Sequence, residues 1–170
     1  MHLNTDTTAT LSLIPEGAAG IRATLDRMTA LVRDGKKMMQ VRQKAAGLVQ
    51  QCAQKSWVCE VQSVYEYVRD QVRYVQDPSN VELIQTPVKT LEFMYGDCDD
   101  KSILLAALLE SIGHPTRFIA VGFEPGIYSH VYVETKIGNT WYPLETTEPV
   151  QMGWSPDAKL MQVPPMYSHN

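Results

Sequence analysis

The run Gly96-Asp97-Cys98-Asp99-Asp100, passing directly into Lys101-Ser102-Ile103-Leu104-Leu105-Ala106-Ala107-Leu108-Leu109, constrains the fold more than any other stretch of the chain. A helix formed here is apolar on nearly every face, so it cannot lie on a surface and must run through the middle of the structure. Asp97 has the chemistry of an N-cap, and Asp100, three residues on, completes a pattern close to a capping box. Gly113 fits the position after the helix and Pro115 cannot continue it, so the helix is expected to run to about Ile112. Cys98 then stands on the first turn, where backbone N–H groups lack intrahelical partners and the positive end of the helix dipole favours thiolate over thiol.

A lone cysteine in such a place reads most simply as an inert buried thiol. The downstream segments argue for more. Arg117-Phe118-Ile119-Ala120-Val121-Gly122-Phe123 is a β-branched and aromatic run closed by the turn Glu124-Pro125-Gly126. His130-Val131-Tyr132-Val133-Glu134 alternates, with His130, Tyr132 and Glu134 on one face and the valines on the other. A third run, Thr140-Trp141-Tyr142-Pro143-Leu144-Glu145, comes after Lys136-Ile137-Gly138-Asn139. If those four residues form the hairpin loop, Thr135 faces Thr140 and His130 falls opposite Glu145, with Cβ atoms roughly 5 Å apart. A two-residue loop would make the pair diagonal but leave it on one face; only a bulge would separate the two. A thiol, an imidazole and a carboxylate in register are the parts of a thiol nucleophile, its proton carrier and the group that orients the carrier.

These segments resemble the transglutaminase-like superfamily of thiol enzymes. The resemblance rests on Gly-Asp-Cys-Asp-Asp at 96–100, the Leu-Leu-Ala-Ala-Leu-Leu helix closing on Ile112-Gly113, Arg117, the His130–Glu134 strand, and Trp141-Tyr142-Pro143-Leu144-Glu145-Thr146-Thr147. Val72-Arg73-Tyr74, Asp77-Pro78 and Thr86-Pro87-Val88-Lys89-Thr90-Leu91 extend it over about 60–150. The longer pattern is most similar to the small transglutaminase-like proteins of tailed phages and prophages. The resemblance implies an α+β, papain-like fold, with a Cys-bearing central helix packed on an antiparallel sheet and a helical N-terminal region. It also implies acyl transfer at an amide or thioester through an acyl-thioester on Cys98, the acceptor being water or an amine. Cys98, His130 and Glu145 take the catalytic positions. The family's usual third residue is Asp, and Glu145 is longer by one methylene. A protein or peptide is the implied substrate. Phage structural proteins are partners to consider, in a bacterial cytoplasm or with a virion.

An oxyanion hole needs a donor besides the Cys98 N–H. Tyr74, expected to end the helix before the catalytic segment, is the first candidate, because the family often places an aromatic donor there; Gln85 is the second. Both also have plain readings, as a core tyrosine and a loop amide. Asp97, Asp99 and Asp100 oppose a thiolate, while the dipole and an imidazolium favour it. The same three acids invite comparison with a calcium site. Their spacing is not that of an EF-hand loop, and helix capping explains two of them, so no metal and no cofactor is expected.

The formal net charge is −4, and the basic residues Arg33, Lys36, Lys37, Arg42 and Lys44 read as a solvated helix face, so nucleic acid is not an expected partner. Cys52, Cys59 and Cys98 are odd in number and show no CxxC spacing, which points away from a zinc site or a disulfide framework. The segment Met1–Asp6 lacks the character of a signal peptide and no apolar run reaches membrane-spanning length, so a reducing cytoplasm is the expectation.

One domain is expected over 1–170: a helical region at 15–56, a catalytic core at 57–150 and an irregular, proline-bearing tail at 151–170. Ile21, Leu25, Met28 and Val32 after Pro15 form one helical stripe, ended by Asp34-Gly35. Val41, Ala45, Leu48 and Cys52 form a second, and Val61, Val64, Val68 and Val72 a third. Two functions fit: a thiol hydrolase or transferase, or a non-catalytic member that keeps the cleft to bind a peptide or assist assembly.

Overall fold

The structure, a computed structural model, describes residues 17–78 and 83–162. Its centre is α5 (Cys98–Ser111), in which every residue from Asp100 to Leu109 is buried. Removing Ile103, Leu104, Leu105, Leu108 and Leu109 from water stabilises the fold by roughly 1.5–3 kcal/mol per side chain. Four helices pack around this one: α1 (Gly17–Gly35), α2 (Met39–Val49), α3 (Trp57–Gln71) and α4 (Pro87–Phe93). Leu25, Met28 and Val32, then Val41 and Ala45, then Val61, Val64 and Val68 face the core, as the helical stripes predict.

On its other side α5 meets an antiparallel sheet in the order β5-β4-β3-β6, formed by β3 (Thr116–Gly122), β4 (His130–Ile137), β5 (Thr140–Leu144) and β6 (Leu160–Gln162). Val131 and Val133 join the main core, whereas Tyr132 packs with Ile119 and Val121 on the opposite face. The fold is thus α+β, with a cysteine-bearing helix against an antiparallel sheet. Among the described residues no helix is long and apolar enough to cross a membrane.

Four expectations change. The β4–β5 loop has two residues, not four: Ile137 pairs with Thr140 across Gly138-Asn139, and Gly138, at φ 62°, takes the left-handed conformation that the short turn requires. Tyr74 does not end a helix. It belongs to β1 (Arg73–Tyr74), which pairs in parallel with β2 (Tyr95–Gly96) immediately before Cys98. Cys52 is not a packing residue of α2 but is joined to Cys59 by a disulfide, with Cα atoms 5.8 Å apart. A cysteine count cannot detect one local bridge beside one free thiol, and the bridge removes the argument from free thiols to a reducing compartment. Finally, the tail is irregular only up to β6, which hydrogen-bonds to the edge of β3. Expectations about Met1–Asp6, Pro15, Pro164 and Pro165 concern positions outside the described residues.

Candidate active site

The capping box is present in full. Asp97 Oδ1 accepts from the N–H groups of Asp99 (3.0 Å) and Asp100 (3.2 Å), and the Asp97 N–H donates to Asp100 Oδ2 (3.3 Å). Cys98 is therefore the first helical residue, and its own N–H has no intrahelical acceptor. Its sulfur accepts a hydrogen bond from the backbone N–H of Val131 on β4 and donates to Asp99 Oδ1 at 3.7 Å. Burial, followed by the charges of Asp99 and Asp97, pushes the thiol well above its usual range. At rest the neutral thiol is favoured, so the carboxylates and desolvation outweigh the Val131 N–H.

His130 opens β4, and its Nε2 lies 2.5 Å from Glu145 Oε2. Because the short hairpin moves Glu145 beyond the end of β5, the two residues meet along a diagonal on one face, as the two-residue alternative requires. Glu145 is only 1% exposed. Its second oxygen, Oε1, accepts from the Thr147 N–H (2.7 Å) and the Thr147 hydroxyl (2.8 Å), while its backbone carbonyl accepts from the Tyr65 hydroxyl (2.8 Å). Burial alone would raise the Glu145 carboxyl; the His130 hydrogen bond and charge, with the Thr147 donors, reverse this and hold it below the ordinary value. An ionised Glu145 takes the Nε2 proton of His130 as its hydrogen-bond partner and leaves Nδ1 as the ring's basic nitrogen. Glu134, on the same strand face, is paired with Arg117 and is not a competing partner.

Cys98 and His130 line one open cleft of about 530 Å³, to which Leu25 and Met28 of α1 also contribute. Tyr74 lines it too, 47% exposed. Burial, then the proximity of Cys98, Asp97 and Asp99, pushes its phenol upward, so the hydroxyl keeps its proton and remains a donor. Gln85 does not line the cleft: its backbone N–H and Nε2 donate to Asp100, and Nε2 also donates to the Tyr95 carbonyl. Gln76 and Asp77 also line it, and Gln76 is invisible in the sequence because a lone glutamine in an irregular segment carries no pattern. The supporting contacts of Tyr65 and Thr147 are equally hidden, since both depend on long-range or loop geometry.

Asp97, Cys98 and Asp99 offer ligand atoms within 4.8 Å of one another. Two carboxylates and a thiol do not suit a hard cation such as calcium, which takes six to eight oxygens, and Asp97 Oδ1 already caps the helix.

Solved structures share this architecture at low identity. A candidate protease from Parabacteroides distasonis aligns with a TM-score of 0.62 and 13% identity over 74% of this chain and 26% of its own. A candidate cysteine protease from Cytophaga hutchinsonii aligns at 0.56 and 16%, over 73% of this chain and 43% of its own. Calcium-bound LapG of Legionella pneumophila aligns at 0.51 and 17%, over 73% of both chains. The chain thus spans about a quarter of the first relative and under half of the second. No curated protein matches it in sequence. Residues 42–146, more than half of the chain and including all three candidate catalytic residues, match the transglutaminase-like superfamily, and the chain belongs to it.

Proposed function

We propose that this chain is a thiol-dependent acyl-transfer enzyme acting on an amide of a protein or peptide, with Cys98 as nucleophile, His130 as proton carrier and Glu145 as the residue that orients His130. The observation that carries the reading is the His130–Glu145 hydrogen bond at the edge of the cleft that holds the Cys98 thiol. Because the resting thiol is neutral, His130 Nδ1 removes its proton as the sulfur attacks the carbonyl carbon. The oxyanion meets the Cys98 N–H and the Tyr74 hydroxyl. Collapse breaks the C–N bond, His130 returns the proton to the leaving amine, and an acyl-thioester stays on Cys98. Water or a second amine, deprotonated by His130, then attacks the thioester and releases the thiol. Cysteine peptidase and transglutaminase-like activities differ only in this last acceptor. Two of the structural neighbours carry the name of protease, which favours hydrolysis.

The neutral, acid-flanked thiol favours a second reading, a cleft that binds a peptide without turnover, as an assembly factor of a phage could. Iodoacetamide labelling across pH separates the two. With Cys52 and Cys59 bridged, Cys98 is the one free thiol, and label should enter with a stoichiometry of one. Catalysis requires fast labelling at pH 7 that slows at least about 10-fold in His130→Ala. Equal rates in both proteins would refute the enzyme.

A further inference from the structure

The acid that holds His130 stands where the sheet has stopped supporting it. Pairing between β4 and β5 ends at Val133 and Leu144, one residue short of Glu145, so the ladder does not fix the Glu145 backbone. The helical layer does. Tyr65, fully buried on α3, directs its hydroxyl at the Glu145 carbonyl and the Val150 carbonyl, both at 2.8 Å, and so spans the segment 145–150 from end to end. One turn on, Arg69 Nη1 donates to the same Val150 carbonyl at 2.7 Å, and its guanidinium carbon lies 5.1 Å from the centre of the Tyr65 ring. Asp70 holds the other edge of that guanidinium through Nε and Nη2. A hydroxyl has one proton for two carbonyls, and with Arg69 already serving Val150 that proton is available to Glu145. Packing in the core would be met by phenylalanine; what the site gains from a tyrosine is the hydroxyl.

We infer that Tyr65 is a positioning residue of the active site: its hydroxyl, seconded by Arg69, fixes the backbone of Glu145 from α3 and thereby holds the carboxylate against His130 Nε2. The catalytic meaning of this role rests on the proposed thiol chemistry, whereas the tie itself is read without turnover. Tyr65→Phe keeps the ring and loses only the hydroxyl. In that variant the His130 Nε2–H proton, followed by NMR and assigned by its loss in His130→Ala, should exchange with water at least about 10-fold faster than in the wild type. In peptide turnover kcat should fall at least about 10-fold with KM little changed, since the reacting groups are misplaced while substrate contacts remain. Tyr67→Phe removes a hydroxyl of the same helix that donates to the Met94 sulfur, and should match the wild type in both measurements. An unmoved exchange rate in folded Tyr65→Phe overturns the inference, as does an unmoved kcat where the wild type turns peptide over. If Tyr65→Phe fails to fold, the coupling is read from its other end. Coupling between two contacts is reciprocal, so His130→Ala should speed exchange of the Tyr65 hydroxyl by a similar factor. The Tyr65 ¹³Cζ resonance, which shifts when deuterium replaces the hydroxyl proton, reports that rate. A hydroxyl exchanging at the wild-type rate in His130→Ala overturns the inference. A Cys98 thiol that attacks no substrate removes the enzymatic reading and leaves the two exchange rates to decide for Tyr65.

Discussion

On the proposed mechanism Glu145 takes the place of the shorter acid that the family resemblance implies, and the hairpin accounts for its extra length. With only Gly138 and Asn139 in the turn, the acid lies past the end of β5 and must reach His130 along a diagonal while its other oxygen holds Thr147. The extra methylene supplies that reach. Glu145→Asp should therefore lose activity rather than gain it, although aspartate is the usual residue. Glu145→Gln keeps the length but loses the charge that stabilises imidazolium, and kcat should fall within the roughly 10²–10⁴-fold range of a general acid–base contribution. An Asp variant at wild-type kcat would show that the strand register, not side-chain length, sets the contact. The same contacts make stability depend on pH on the acid side. Glu145 is held below 4.5, so its contribution to stability is full above that value and is lost as pH falls through its lower folded pKa. Thermal melts of wild type and Glu145→Gln should converge only below about pH 4.5.

At the scale of elements, the first turn of α5 concentrates the site's structural demands. A Cβ on Gly96 would stand 2.5 Å from the Cβ of Asp100, so Gly96→Ala must displace the acid that completes the capping box. Asp97→Ala should cost about 1 kcal/mol, read as a drop of roughly 2–4 °C in Tm, and should loosen the Cys98 N–H. Burial pushes the Asp100 carboxyl up to about 7. Its folded pKa exceeds the unfolded value of 3.8, so its contribution is full below 3.8 and is lost as pH rises through about 7. Wild-type Tm should thus decline relative to Asp100→Asn between pH 5 and 8; parallel curves would show that Asp100 stays ionised. This helix and its caps are legible in sequence because they obey rules that act over four residues. So are β3, through its β-branched and aromatic run, and β4, through alternation. The two-residue strands β1 and β2 and the seven-residue α4 are not, because so short a run carries no period. The hairpin register depends on where a turn closes, a choice that alternation leaves open between loops differing by two residues.

At the scale of the molecule, α5 is held between four helices and a sheet, and the groups that would act on substrate come from different elements: Tyr74 from the segment after α3, and His130 from the start of β4, held by Glu145 just past the end of β5. Such an arrangement is legible only through resemblance, because no local pattern in the chain brings β1 beside Cys98. The disulfide lies wholly in the helical layer, between the chain leaving α2 and the first turn of α3. It closes a loop with a sequence separation of 7, for which chain entropy predicts a stabilisation of about 2.5 kcal/mol. Cys52→Ser/Cys59→Ser should accordingly melt about 5–10 °C below wild type. Since neither cysteine lines the cleft, iodoacetamide should label Cys98 in that variant at the wild-type rate at 25 °C. A slower rate would mean that the helical layer must be braced for the site to form. Intact mass before and after reduction and alkylation checks the bridge itself: two cysteines should take up label only after reduction, and three labels without reductant would show that the protein keeps all its thiols free.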